Sequence, residues 1–117
     1  MYTINKEFHF SASHILTGLE PEHPCSRLHG HNYVVNIFLR SEKLNEVGFI
    51  IDYGELKPVL LYIKDVLDHR HLNDILPFNP TAENLARHFY DTFKPQFPSL
   101  FKVEVSETPK TNASYYE

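Results

Sequence analysis

Hydrophobic and polar residues alternate twice near the start of the chain. Over residues 2–13, Ile4, Phe8, Phe10 and Ala12 share one parity with Lys6, while Thr3, Asn5, Glu7, His9 and Ser11 hold the other. Over residues 29–40, His31, Tyr33, Val35, Ile37 and Leu39 alternate with Asn32, Val34, Asn36, Phe38 and Arg40. Side chains along a strand point to opposite faces in turn, so each stretch predicts a half-buried antiparallel strand. The two strands pair as a long hairpin. Residues 15–28 between them hold two Pro, one Gly and several polar groups and form a loop.

The pattern then changes period. After a turn at Asn45–Gly48, Leu56, Val59, Leu60, Ile63, Val66 and Leu67 recur at helical spacing. Asp52 and Glu55 have the spacing of a capping box. Pro58 is awkward inside a helix begun at Tyr53, so the regular helix starts with Pro58 in its first turn, after a looser turn at Tyr53–Lys57. Asp68–Asn73 follows as a polar loop. Thr81 is a good N-cap, with Glu83 in the first turn of a second helix whose apolar face is Leu85, Ala86, Phe89 and Phe93 and which ends before Pro95. Phe101, Val103 and Val105 alternate with Lys102, Glu104 and Ser106 as a third strand, and residues 112–117 add a short last one. The order β-β-α-α-β-β predicts an α+β fold, a small antiparallel sheet with helices on one face. No repeat or linker divides residues 1–117, so one domain is expected.

Composition narrows the function. Nine Phe and seven Tyr supply core bulk without Trp, and a chain of 117 residues suits one small domain prone to oligomerise. A net charge of −4 and the lack of a basic run argue against non-specific nucleic-acid binding. No apolar stretch of about 18 residues predicts a membrane helix. The single cysteine excludes an intrachain disulfide, and the N-terminal residues read as strand rather than signal peptide, so a reducing, cytoplasmic setting is expected.

Eight histidines direct the search to a metal. His29 and His31 flank Gly30 on a strand, and positions two apart share a face. Two neutral imidazoles suit zinc, and a third donor would leave an open coordination position. The spacing leaves His9, His14 and His23 as candidates for that donor. His14, at the end of the first strand and across the hairpin mouth, is favoured by geometry. Cys25 is a fourth ligand, a base or nucleophile beside the metal, or a small buried residue; its polar loop argues against burial. Asp68 and His69 read equally as a helix C-terminal pair or as an imidazole oriented by a carboxylate. Glu107, at the end of the third strand, suits a ligand edge that carries two N–H donors. His9, His23, His71 and His88 read as solvated or structural.

Taken together, Phe10-Ser11-Ala12-Ser13-His14, Cys25-x-x-x-His29-Gly30-His31-Asn32-Tyr33, Ile51-Asp52-Tyr53-Gly54-Glu55-Leu56, Leu67-Asp68-His69, Pro80-Thr81-Ala82-Glu83-Asn84 and Ser106-Glu107-Thr108 resemble the 6-pyruvoyltetrahydropterin synthase / 6-carboxytetrahydropterin synthase family along essentially the whole chain. The resemblance implies the T-fold. It implies Zn2+ on His14, His29 and His31, with Cys25 as proton acceptor and Asp68, His69 and Glu107 as its companions. Glu107 would also anchor the pterin, and Thr81 and Arg27 are further substrate-side candidates. By their charge and loop position, Arg27, Arg70 or Lys110 would meet the triphosphate. Ser13 stands where many members carry Ala, a small change. The three-residue gap from Cys25 to His29 is similar to the bacterial 6-carboxytetrahydropterin synthases of the queuosine (7-deazaguanine) pathway. The implied substrate is 7,8-dihydroneopterin triphosphate, and the implied assembly is a homohexamer of two trimer rings with sites between subunits. The rival readings are a pyruvoyl-type product, cleavage of the dihydroneopterin side chain toward folate, and a non-catalytic zinc module.

Overall fold

The computed structural model describes all 117 residues. The predicted hairpin is its spine. β1 (Tyr2–His14) and β2 (His29–Ser41) pair antiparallel in unbroken register from Tyr2↔Ser41 to His14↔His29. Alternation sets that register, because a one-residue slip would turn Phe8, Phe10, Tyr33, Val35, Ile37 and Leu39 to solvent. All six are buried.

The helical stretch after residue 52 is less regular than its apolar spacing predicts. Asp52 caps a 3-10 turn (Tyr53–Leu56) by accepting from the Gly54 amide rather than through a reciprocal box with Glu55. Pro58 lies in the first turn of α1 (Lys57–Tyr62), as expected. The chain then widens into a π turn, Ile63–Leu67, closed by the Asp68 amide on the Ile63 carbonyl. Three helical pitches in succession break the single periodic face: Leu56, Val59, Ile63 and Leu67 are buried, but Leu60 is exposed.

The polar stretch 68–73 is not a loop. Arg70–His71 forms a two-residue strand, β3, parallel to β1 at Ala12 and Ser13, and Leu72–Ile75 is a helical turn, α2. Main-chain pairing to the β1 edge and the fully buried Leu72 hold this segment, and neither leaves a periodic trace in so short a run. α3 (Ala82–Phe93) starts where Thr81 caps the Asn84 amide and packs its apolar face on β4 (Leu100–Thr108) and β5 (Thr111–Tyr116). The sheet order is β3-β1-β2-β4-β5. It is therefore a mixed sheet, antiparallel except at β3, and the inner-face residues of its strands share one core with the helices. No helix is long and apolar enough to cross a membrane.

Candidate active site

The site grows from the open end of the hairpin. His14 closes β1 opposite His29, and β2 carries His31 two residues on. These three occupy the inward positions that hold aliphatic and aromatic residues farther along. Their ligand atoms all lie within 4.8 Å of one another. Asn73 ties the chain just past His14, accepting from the Ile15 amide and donating to its carbonyl, each at 2.8 Å.

Hydrogen bonds orient the rings. His14 Nδ1 donates to the Pro80 carbonyl at 2.8 Å, and His29 Nδ1 donates to the Arg27 carbonyl at 2.7 Å. The carbonyl partners assign the proton to Nδ1 and leave a lone pair on each Nε2. Those two Nε2 atoms face each other at 2.9 Å. His31 Nε2 is buried without a hydrogen-bond partner; its nearest acid is Glu107, at 3.5 Å. Two facing lone pairs without a proton to share, with the His31 ring beside them, fit a bound cation. Burial holds the pKa of His14 and of His31 below the ordinary imidazole value, although Glu107 pulls both the other way. The neutral form that a metal needs is thereby favoured.

Tyr33 is a neighbour that the sequence reading did not single out. Fully buried and stacked on Phe10, it brings Oη to 3.1 Å from His14 Nδ1. Burial first, and then Glu107, raises its pKa, so the phenol stays protonated. Its inward parity, two residues after His31, was the available signal. The Pro80 carbonyl had none.

Cys25 lies in a 3-10 turn (Pro24–Ser26) capped by His23, whose Nδ1 accepts from the Cys25 amide. The thiol is outside the three-imidazole cluster. It lines a cavity of about 400 Å3 with Thr81, Glu107 and the β5 residues Thr111, Asn112 and Ala113. The Arg27 carbonyl serves His29, but Arg27 lines none of the three cavities around the cluster.

Asp68 and His69 stand at the other side of the hairpin. His69 is the one non-glycine residue with positive φ, 60°, and that turn feeds the chain into β3. Its amide donates to the Ser11 carbonyl, and the Ser11 amide donates to Asp68 Oδ1 at 2.9 Å. Asp68 Oδ2 lies 3.0 Å from His69 Nδ1. The Ser11 amide is the main cause of an Asp68 pKa below the usual carboxylate range, so Asp68 is ionised and orients the imidazole. His69 opens on a second cavity, of about 430 Å3, which His31 also lines and Cys25 does not. One chain thus brings Cys25 and Glu107 together and keeps Asp68 and His69 apart from them.

Residues 3–117 match the family model described as 6-pyruvoyl tetrahydropterin synthase. The chain belongs to that family. It is 37% identical to the 6-carboxy-5,6,7,8-tetrahydropterin synthase of Synechocystis sp., over 99% of this chain and 94% of that protein. It is 32% identical to the protein of the same name from Bacillus subtilis, over 97% and 84%. Among solved structures, the 6-pyruvoyl tetrahydropterin synthase of Caenorhabditis elegans superposes with a TM-score of 0.87 at 31% identity, covering 99% of this chain and 95% of that one. The Plasmodium falciparum 6-pyruvoyl tetrahydropterin synthase, 18% identical with a TM-score of 0.76, shares the fold. The sheet and its one-sided helices are the T-fold, and the chain is a pterin-synthase-family enzyme.

Proposed function

We propose that the protein is a zinc-dependent 6-carboxy-5,6,7,8-tetrahydropterin synthase that converts 7,8-dihydroneopterin triphosphate and water to 6-carboxytetrahydropterin, acetaldehyde and triphosphate. The observation that carries this reading is the cluster of three imidazoles next to a cavity that holds both a thiol and a carboxylate. Two relatives with that printed name, matching nearly the whole chain, support the product. The three-residue gap between Cys25 and His29 supports it independently.

His14, His29 and His31 would hold zinc, which supplies Lewis-acid polarisation of the substrate's side-chain oxygens. Glu107 accepts two N–H donors from the guanidine-like edge of the pterin and fixes the ring. Cys25 takes a proton from the side-chain carbon that the fixed ring presents to it. Thr81 borders the same cavity. His69, oriented by Asp68, moves protons to and from the side-chain oxygens. Elimination expels triphosphate, internal tautomerisation reduces the ring, and a retro-aldol cleavage with uptake of water releases acetaldehyde.

The separation of His69 from Cys25 within one chain favours a site built from two copies. β1 leaves residues 2–10 unpaired on one edge of the sheet, and β5 forms the other edge. Exposed edges invite pairing. Laying β5 of one copy along β1 of the next would set the Cys25 cavity, walled by β5, beside Asp68 and His69 of the neighbouring copy. Closed rings of this kind, two to a homohexamer, would give each site residues from two chains.

Mass-spectrometric product analysis with zinc-loaded protein and 7,8-dihydroneopterin triphosphate tests the reaction. A carboxylated tetrahydropterin with acetaldehyde is expected. A pyruvoyl tetrahydropterin without acetaldehyde would move the protein to the pyruvoyl branch of the family, and no turnover at full zinc occupancy would reject the substrate. Mixing inactive Cys25→Ala with inactive His69→Ala after dissociation tests the shared site, because hybrid assemblies regain activity only if the two residues come from different chains.

A further inference from the structure

The Cys25 turn is tied to the rest of the molecule by a single hydrogen bond. The Leu16 amide donates to the Cys25 carbonyl at 2.9 Å, and every other hydrogen bond of Pro24–Ser26 closes within residues 20–27. Leu16 sits in a strap, residues 15–17, that leaves β1 just after His14 and belongs to no strand. Two asparagine side chains stand in for a strand partner along it. Asn73 accepts from the Ile15 amide and donates to the Ile15 carbonyl. Asn79 does the same two residues on, accepting from the Thr17 amide at 3.0 Å and donating to the Thr17 carbonyl at 3.1 Å. The amides of 15 and 17 thus turn to the asparagines and the amide of 16 to Cys25, the alternation of an extended chain.

Asn79 is itself anchored. Its carbonyl accepts from the Asn84 side chain at 2.9 Å and from the Thr81 amide at 2.8 Å, beside the N-cap of α3. Leu16, Cys25 and Thr81 wall the same cavity. The Asn79 side chain therefore joins the start of α3 to the strap, and the strap holds the thiol. Resting on the reading of Cys25 as the base, we propose that Asn79 is a positioning residue for that thiol. Acting through Thr17 and the Leu16–Cys25 bond, it sets the distance from the Cys25 sulfur to the carbon that gives up its proton. A primary amide suits the place because it offers an acceptor and a donor to one residue. Asn73 sits at the His14 end of the strap, so the metal ligand keeps its own tie when Asn79 is changed.

The test combines steady-state kinetics of zinc-loaded protein on 7,8-dihydroneopterin triphosphate with iodoacetamide alkylation of Cys25, the only thiol in the chain. Asn79→Ala should lower kcat roughly ten- to a hundredfold, the cost of a small misplacement of a reacting group, with KM and zinc content close to wild type. Asn79→Asp leaves no void but sets a carboxylate against the Thr17 carbonyl, and it should lower kcat comparably. In a Cys25→Ala background, Asn79→Ala should lower the residual turnover no further, whereas a general loss of structure would lower it in both backgrounds. Alkylation should run several-fold faster in Asn79→Ala because the turn is no longer held. Wild-type kcat and alkylation in Asn79→Ala, or equal losses with and without Cys25, overturn the positioning role while leaving the reaction standing. Zinc lost together with kcat in both Asn79 variants would assign the strap to the metal and overturn it as well. Full kcat in Cys25→Ala rejects the base on which the proposal rests. In a protein that turns over no pterin triphosphate, faster alkylation keeps the tie between Asn79 and the thiol, and unchanged alkylation rejects it along with the reaction.

Discussion

At the Tyr2–Ser41 end of the hairpin, the inward positions carry Phe8, Val35, Ile37 and Leu39. At the other end the same positions carry His14, His29 and His31, and the strand pairing does not change between them. Burying an aliphatic side chain contributes roughly 1.5–3 kcal/mol and leaves no polar atom to satisfy. Burying an imidazole leaves nitrogen atoms that need partners. Two of the three rings meet this need on one side through the Pro80 and Arg27 carbonyls, and all three bring a ligand nitrogen within 4.8 Å of the others. One end of the hairpin stabilises the fold. The other spends part of that stability on a preorganised donor set, a trade common at functional sites.

The largest effects should separate the two ends by what they measure. Cys25→Ala is expected to lower kcat by about 10²–10⁴-fold, the usual worth of a general base, while zinc content stays that of the wild type. A parallel loss of zinc would make the thiol a ligand and return the non-catalytic zinc module to contention. Ile37→Ala, at the other end, should destabilise the fold by about 2–5 kcal/mol in urea titration. Its zinc stoichiometry should remain intact once folded. If zinc affinity fell in proportion to stability, the two ends would be one cooperative unit and the contrast would fail.

A smaller effect has the opposite sign. His31→Leu removes a buried nitrogen without a partner and supplies an apolar side chain at an inward position. In metal-free protein it should raise the unfolding free energy by roughly 1 kcal/mol, toward the lower end of what an unsatisfied buried group costs. In the same variant zinc binding should be lost. Loss of stability in the metal-free variant would mean that His31 is a structural residue, with its contact to Glu107 worth more than the orphaned nitrogen costs.

The contrast also explains what was legible in the sequence. β1, β2, α3 and β4 announce themselves because each repeats a period over six or more residues, and that parity sets His29 and His31 on one face while leaving the third imidazole open among His9, His14 and His23. β3 does not: Arg70 and His71 are held by main-chain pairing to β1, and two polar residues carry no pattern. The positive φ of His69 falls on a residue type that gives no warning of it, where Gly or Asn would have. The π turn hides inside an apolar spacing that reads as an ordinary helix, and Leu60 counts toward a face that it does not join. The parting of Asp68 and His69 from Cys25 is a matter of which side of the hairpin each loop returns to. Motif spacing is blind to that.

His88 gives the smallest effect and a control for the site histidines. It is half-buried on α3, far from the hairpin mouth in sequence, and its Nε2 is 2.6 Å from Tyr62 Oη, so it has the partner that His31 Nε2 lacks. Burial lowers its pKa from 6.5, with Asp91 acting weakly the other way. The folded chain therefore binds this proton less readily than the unfolded chain does. Well above pH 6.5 neither state is protonated and His88 adds no slope. As pH falls through 6.5 toward the lower folded value, the unfolded state gains the proton first and stability drops. Metal-free His88→Leu should lose less stability than metal-free wild type between pH 7 and 5, the remaining slope belonging to His14 and His31, whose pKa values burial also lowers. Parallel urea-derived stability curves for the two proteins would show that His88 is as readily protonated in the fold as outside it, and that buried neutral imidazoles are confined to the metal end of the hairpin.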